Sequence, residues 1–202
     1  MKRVLATAIA ILLSLPVFAA DWSLVATKLR DSITYVQVGE AGACTGFVID
    51  NMRDFVLTAA HCDVKGMELY VDLAPAKVRA KDVKNDLLIL YVEGIDRPAL
   101  KLAEKNPKIG EEVASYGYGY GLSKPFFRIA HISDDATKLP SLEGGPYFVI
   151  DANLIPGQSG GPIVNVKGEV VAIVQLTGDG VGFGTGAETI REKMGRYFVG
   201  GT

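Results

Sequence analysis

Short apolar runs, each closed off by turn-forming residues, set the fold class of this chain. They recur from about residue 33 onward: Thr34–Val38, Gly46–Ile49, Phe55–Thr58, Leu69–Leu73 and Leu87–Val92, then Val113–Tyr116, Phe126–Ile132, Tyr147–Ala152, Pro162–Val166 and Val170–Leu176. Gly, Pro, Asn or Asp bounds each of them. Runs of this length suit strands and are too short to give a helix a buried face, so an all-β barrel or sandwich is expected. The rhythm breaks at Ile95–Lys108, which carries Pro98 and Pro107 and little periodicity, and which reads as a linker. Helical patterns frame the strands. Trp22, Val25, Leu29 and Ile33 share one helical face, which predicts a short helix over about Ser23–Arg30 with Ser23 as its cap. Ala187–Phe198 is rich in helix formers and predicts a C-terminal helix.

The first residues belong to processing and not to the fold. Lys2 and Arg3 precede an apolar run from Val4 to Leu15, Pro16 breaks it, and Val17-Phe18-Ala19 leads to a small-residue cleavage site. This pattern predicts a signal peptide over residues 1–19, an exported mature chain over 20–202, and a periplasmic or secreted location. The run is short of the roughly 20 residues of a membrane-spanning helix, and no later segment is long and apolar enough, so no membrane association is expected after cleavage. Cys44 and Cys62 are the two cysteines of the chain, an even count that favours a disulfide in an oxidising compartment; two buried free thiols are the alternative. With 49% hydrophobic residues and a formal net charge of −2, the chain fits a well-filled core. It lacks the basic cluster that nucleic acid would require as a partner. Tyr116-Gly117-Tyr118-Gly119-Tyr120-Gly121 is followed by Lys124-Pro125 and another strand and not by a helix, so it reads as a tight turn and not a phosphate cradle.

Three segments carry chemistry. Thr58-Ala59-Ala60-His61-Cys62 ends a strand, Asn85-Asp86 immediately precedes one, and Gly157-Gln158-Ser159-Gly160-Gly161-Pro162 lies on a loop before another. A serine hydroxyl needs a base to attack an acyl carbon, and imidazole, with an ordinary pKa of about 6.5, suits that role near neutral pH. A carboxylate must then fix the imidazole tautomer and stabilise the imidazolium. The oxyanion needs backbone donors, and glycine lets the loop turn the amides of Gly157 and Ser159 inward. Each residue also has a plainer role: His61 as a packed strand-end residue, Asp86 as a turn cap, Ser159 as part of a flexible connection. Their joint occurrence favours the catalytic assignment. His131, the other histidine, alternates onto the face of Ile129 and reads as structural. Two distant histidines and no ligand cluster argue against a metal, and no cofactor is expected.

Taken together, Thr-Ala-Ala-His-Cys, Asn-Asp-Leu and Gly-Gln-Ser-Gly-Gly-Pro resemble the catalytic motifs of trypsin-like peptidases in their His, Asp, Ser order. Asp151-Ala152 ahead of Pro156–Ser159, and Gly182-Phe183-Gly184, are similar to the protease domain of the HtrA type. The resemblance spans about residues 33–194. It implies two perpendicular six-stranded antiparallel β-barrels, one over about 30–97 and one over about 109–186, joined by a linker at about 98–108. It also implies a Cys44–Cys62 bridge beside His61, catalysis by His61, Asp86 and Ser159, and polypeptide substrates. Asn153, six residues before Ser159, falls at the base of the primary specificity pocket, with Leu154 and Ile155 adding apolar bulk and Gln175, Leu176 and Thr177 forming one wall. A pocket without an acid there implies cleavage after small or medium apolar residues. Asp151 is the nearby acid able to reverse this if it turned into the pocket. The chain departs from the family in having Gln158 where digestive enzymes carry the Asp that pairs with a new N-terminus. Its end, soon after the last helix, leaves no room for PDZ domains, so trimer assembly is not implied. Two other functions compete: a binding module that has given up catalysis, and an esterase-like hydrolase. All three catalytic residues are present, and the His-first order opposes an α/β-hydrolase.

Overall fold

The computed structural model describes residues 20–40, 42–139 and 143–200, so the expected signal peptide lies outside the described residues. Twelve strands close into two barrels of six. The first contains β1 (Ile33–Val38), β2 (Gly42–Asp50), β3 (Phe55–Ala59), β4 (Leu69–Val71), β5 (Ala74–Asp82) and β6 (Leu87–Tyr91), in the order β1-β2-β3-β6-β5-β4. The second contains β7 (Glu112–Gly117), β8 (Phe126–Thr137), β9 (Tyr147–Ile150), β10 (Pro162–Val164), β11 (Val170–Gly178) and β12 (Val181–Gly186), in the order β10-β11-β12-β9-β8-β7. All neighbours within each barrel run antiparallel, and closure leaves no edge strand to template aggregation.

Burial explains why the strongest runs read as unbroken hydrophobic stretches. Along β6, Leu87 and Ile89 join a central cluster with Ile33, Phe47, Leu57, Ile173 and Ile190, while Leu88 and Leu90 fill the first barrel with Val36, Val48 and Val56. All four β6 residues are fully buried, so neither face carries a polar residue. Each contributes roughly 2 kcal/mol of burial. The second barrel is filled by Ile132, Phe148, Ile150, Ile163 and Val174.

Two strands escaped the apolar-run pattern. β5 (APAKVRAKD) is half-buried or exposed throughout, so nothing in it demands hydrophobic side chains. β12 (VGFGTG) alternates with glycine because neighbours stand where side chains would: a Cβ on Gly182 would lie 2.4 Å from Leu154 Cδ1, and one on Gly184 2.8 Å from the Ile173 carbonyl.

The helices need correction at their ends. α1 spans Trp22–Leu29, one residue earlier than expected, and its cap is Asp21 and not Ser23. The Asp21 carboxylate accepts from the amides of Ser23 and Leu24 and from the Ser23 hydroxyl, so Ser23 lies inside the first turn. Trp22 packs on Phe127 of β8 and donates to Glu112 of β7, which docks α1 on the second barrel. α2 covers Ala187–Met194, shorter than expected, and continues as a 3-10 turn over Gly195–Tyr197. No helix among the described residues is long and apolar enough to cross a membrane.

Candidate active site

His61 sits in a 3-10 turn, Ala60–Cys62, that follows β3, and Cys62 is joined to Cys44 of β2 by a disulfide with a Cα–Cα distance of 6.3 Å. Closing the 18-residue separation contributes roughly 3 kcal/mol on a chain-entropy argument. The two sulfurs and a His61 ring nitrogen lie within 4.8 Å of one another, but sulfurs tied in a disulfide are not thiolate ligands.

Asp86 reaches His61 from the turn before β6, with a left-handed φ of +54° that Asp tolerates better than most residues. Its Oδ2 lies 2.7 Å from His61 Nδ1, and its Oδ1 accepts the His61 backbone N–H at 2.7 Å. The Asp86 carbonyl also accepts from the Ala60 amide at 3.2 Å. A carboxylate held against Nδ1 keeps the proton on that nitrogen and leaves Nε2 as the acceptor.

Ser159 belongs to the second barrel, on the loop before β10. Thr45 of β2 carries that loop across from the first barrel: its amide donates to the Ser159 carbonyl at 2.8 Å and its hydroxyl to the Gly157 carbonyl at 2.8 Å. The Thr45 hydroxyl in turn accepts from the Tyr118 amide, and its carbonyl accepts from the Thr58 hydroxyl. Gly160, at φ +82°, presses against Thr45, Thr58 and Ala59, the residues leading to His61. The Pro156 carbonyl is taken by the Tyr120 amide, and among the described residues the amides of Gly157 and Ser159 donate to no protein acceptor. Two such free donors are what a developing oxyanion needs. The Ser159 hydroxyl donates to the Gln175 carbonyl at 3.5 Å.

Gln175 links the two barrels. The register of β11 against β12 slips between Val174 and Leu176, so Gln175 is the extra residue of a bulge, a device that re-aims a side chain. Its Nε2 donates to the Asp86 carbonyl at 3.0 Å, with the Asn85 carbonyl and the Thr185 hydroxyl at 3.4 and 3.2 Å. It is 1% exposed, its side-chain amide ties down the acid turn, and the residue also borders the cleft beside His61 and Asp86. Gln175→Leu should lower kcat roughly tenfold with KM little changed, because the tie acts on Asp86 and not on bound substrate. Steady-state kinetics decide this; a raised KM with unchanged kcat would show that the Gln175 side chain acts on substrate and not through Asp86.

The remaining expected binding residues are dispersed. Asn153 is exposed, Ile155 is half-buried, and Leu176 and Thr177 are exposed, with the Thr177 hydroxyl donating to the Leu154 carbonyl at 2.9 Å. Leu154 is a correction: at 2% exposure it fills the second barrel against Gly182 and cannot meet a substrate. Asp151 faces away with His131, accepting the His131 amide at 2.5 Å while Oδ2 stands 3.3 Å from Nδ1. That backbone bond, opposed by slight burial and helped by the imidazole, holds its carboxyl below the ordinary carboxylate range. Gln158 is buried, and its Oε1 accepts from the Ile155 amide at 2.9 Å, so it fastens its own loop. Beside His61 and Asp86 opens a cleft of about 660 Å³ bordered by Ala60, Val83, Lys84, Tyr147 and Leu176. A second depression of about 490 Å³ is bordered by Tyr35, Tyr120, Pro156 and Gly157.

The sequence profile of the trypsin-like peptidase domain matches residues 44–173, which contain His61, Asp86 and Ser159. The chain belongs to the trypsin-like peptidase family. Bacterial proteins are similar to it: a probable periplasmic serine endoprotease DegP-like of Hahella chejuensis is 33% identical over 135 residues, 64% of this chain and 28% of that one. A protein of the same description from Pseudomonas putida matches to the same extent. The chain thus spans under a third of the length of these curated relatives. Among solved structures, the active form of the Rv3671c protease of M. tuberculosis shares 25% identity and a TM-score of 0.74, covering 100% of this chain and 95% of that one. The HtrA-type protease AlgW bound to a tripeptide shares the fold, with a TM-score of 0.76 at 18% identity over 87% of this chain and 62% of that one. Within this peptidase family the matched segment takes in most of both barrels and leaves α1 and α2 outside.

Proposed function

We propose that this peptidase-family chain is an exported serine endopeptidase that uses His61, Asp86 and Ser159. The observation that carries the proposal is the two-point grip of Asp86 on His61, through Nδ1 and the backbone amide, which fixes the base with Nε2 free. In the reaction, Ser159 Oγ bonds to the carbonyl carbon of the substrate and its proton passes to His61 Nε2. The carbonyl oxygen takes up negative charge facing the amides of Gly157 and Ser159. Collapse breaks the C–N bond, and His61 returns the proton to the leaving amine. Water then repeats the sequence on the ester, His61 taking its proton and giving one back to Ser159. The cleft beside His61 and Asp86 and the depression beside Gly157 offer room for residues of an extended polypeptide, which favours an endopeptidase over an esterase.

Export accords with the basic and apolar N-terminus and with relatives described as periplasmic. Gln158, engaged with its own loop, offers no carboxylate to an N-terminal ammonium, so activity does not await a newly cut N-terminus. Asn153 carries no charge and Asp151 is engaged by His131, so neither of these two residues is free to hold a substrate cation. Cleavage then follows small or medium apolar residues. A peptide-library profile of residues 20–202, with Ser159→Ala as control, tests the whole reading. Expected is cleavage after such residues by the parent and none by the variant. Equal cleavage by Ser159→Ala would reject the mechanism, and dominant cleavage after Arg or Lys would reject the specificity.

A further inference from the structure

Where β3 begins, at the opposite end of that strand from His61, three arginines and two aromatic rings form a depression of about 470 Å³. Its lining is Arg53, Phe55, Arg79, Arg196 and Tyr197, with no carboxylate among them. Arg53 lies over Phe55 at 5.4 Å, while Arg79 and Arg196 lie over Tyr197 at 5.8 and 5.0 Å. The two rings meet edge to face with centroids 5.6 Å apart, so the three guanidinium groups stand around one aromatic pair.

The three cations are not equivalent. Arg53 is fixed: Nε pairs with Asp50 at 2.7 Å, and its terminal nitrogens donate to the carbonyls of Arg196 and Phe198 at 2.9 and 2.8 Å. Arg79 and Arg196 have no carboxylate partner among the described residues, and the one hydrogen bond between them runs from Arg196 to the Tyr197 hydroxyl at 3.2 Å. A guanidinium carries five N–H donors, so most of those on Arg79 and Arg196 face solvent. In a chain of net charge −2, three like charges gathered around one aromatic pair with a single acid behind them amount to a pre-ordered anion receptor. Stacking on the rings restricts the guanidinium planes before any ligand arrives, which lowers the ordering cost of binding.

We propose that this depression binds a phosphate-bearing anion of two or more charges, with Arg79 and Arg196 supplying paired donors and Arg53 fixed charge. Free pyrophosphate-like compounds and phosphomonoester lipid headgroups share that chemistry. The test is calorimetric titration of the folded chain with pyrophosphate at low salt, where exposed charges are least screened. Alongside it, the chain is co-sedimented with phosphatidylcholine vesicles with and without phosphatidic acid. Saturable pyrophosphate binding is expected, weakened roughly tenfold or more in R79Q/R196Q and by less in R79K/R196K, which keeps the charge but loses the forked donors. Sedimentation only with phosphatidic acid, lost in R79Q/R196Q, assigns the ligand to a headgroup; pyrophosphate binding without sedimentation assigns it to a soluble anion. Peptide cleavage should be unchanged in both variants. Absence of saturable binding in either arm, or equal binding by R79Q/R196Q, would overturn the proposal and leave the arginines as surface packing on the rings.

Discussion

His61→Ala should reduce turnover of a cleavable peptide by about 10⁶-fold, as expected when the base of a serine–histidine pair is removed. The effect is chemical, because the contact that shapes the acid turn is spared. The His61 backbone amide still donates to Asp86 Oδ1, and the Ala60 amide to the Asp86 carbonyl, whatever side chain stands at 61. What disappears is the acceptor for the Ser159 proton, and a serine hydroxyl at its own pKa is a weak nucleophile. Asp86→Asn should cost about 10⁴-fold by favouring the wrong tautomer while keeping the geometry. Initial rates measured with circular dichroism spectra matched to the parent check both, and covalent labelling of Ser159 by a fluorophosphonate should disappear in parallel. A fall of less than about tenfold in a folded His61→Ala protein would remove His61 from the mechanism.

Gly160→Ala should be the most destabilising small substitution in the Ser159 loop. A Cβ at 160 would lie 2.2 Å from the Thr45 carbonyl, 2.3 Å from Thr58 Oγ1 and 2.7 Å from the Ala59 amide nitrogen. Two of these are backbone atoms of β2 and β3, held by their own ladders and unable to yield. The left-handed φ of +82° adds roughly 1–2 kcal/mol of backbone strain. Overpacking brings the expected loss to about 4 kcal/mol or more, enough to leave a domain of ordinary stability only marginally folded. Gly180→Ala separates the two causes, since Gly180 has φ +87° with nothing within 4 Å of an added Cβ. Urea unfolding should show a loss of only about 1 kcal/mol there. If the two variants unfold at the same midpoint, the close approach at Gly160 is not what holds the loop.

The legible parts of this chain were those in which side-chain type follows from burial or chemistry. β6 announces itself because both its faces are covered, and the pairing of His61 with Asp86 because few other uses require those residues in those settings. β5 was hidden by the opposite circumstance, a strand with no buried face to specify it. β12 was hidden because its glycines are dictated by neighbours distant in sequence, Leu154 and Ile173. Asp21 was passed over as the cap of α1 because Ser23 is an equally good capping residue two positions on. Around the site, the tie from Gln175 to Asp86 is not visible in the sequence, because its bulge depends on the partner strand. Leu154 differed for a simpler reason: the loop enters the barrel one residue after the exposed Asn153. Thr45, which carries the Ser159 loop through both its amide and its hydroxyl, is one more small residue in a strand, and no local pattern sets it apart.

The bond from the Gln175 amide to the Asp86 carbonyl makes the site a gauge of alignment between two barrels that share a central apolar cluster. His61 and Asp86 ride on one and Ser159 on the other, so in the mechanism proposed above a slide of a fraction of an ångström at their seam would misplace acceptor and hydroxyl while disturbing few of the contacts within each barrel. Catalysis and foldedness can therefore part company in this molecule. A displacement too small to open the shared cluster would then lower hydrolysis without a spectroscopic sign of melting.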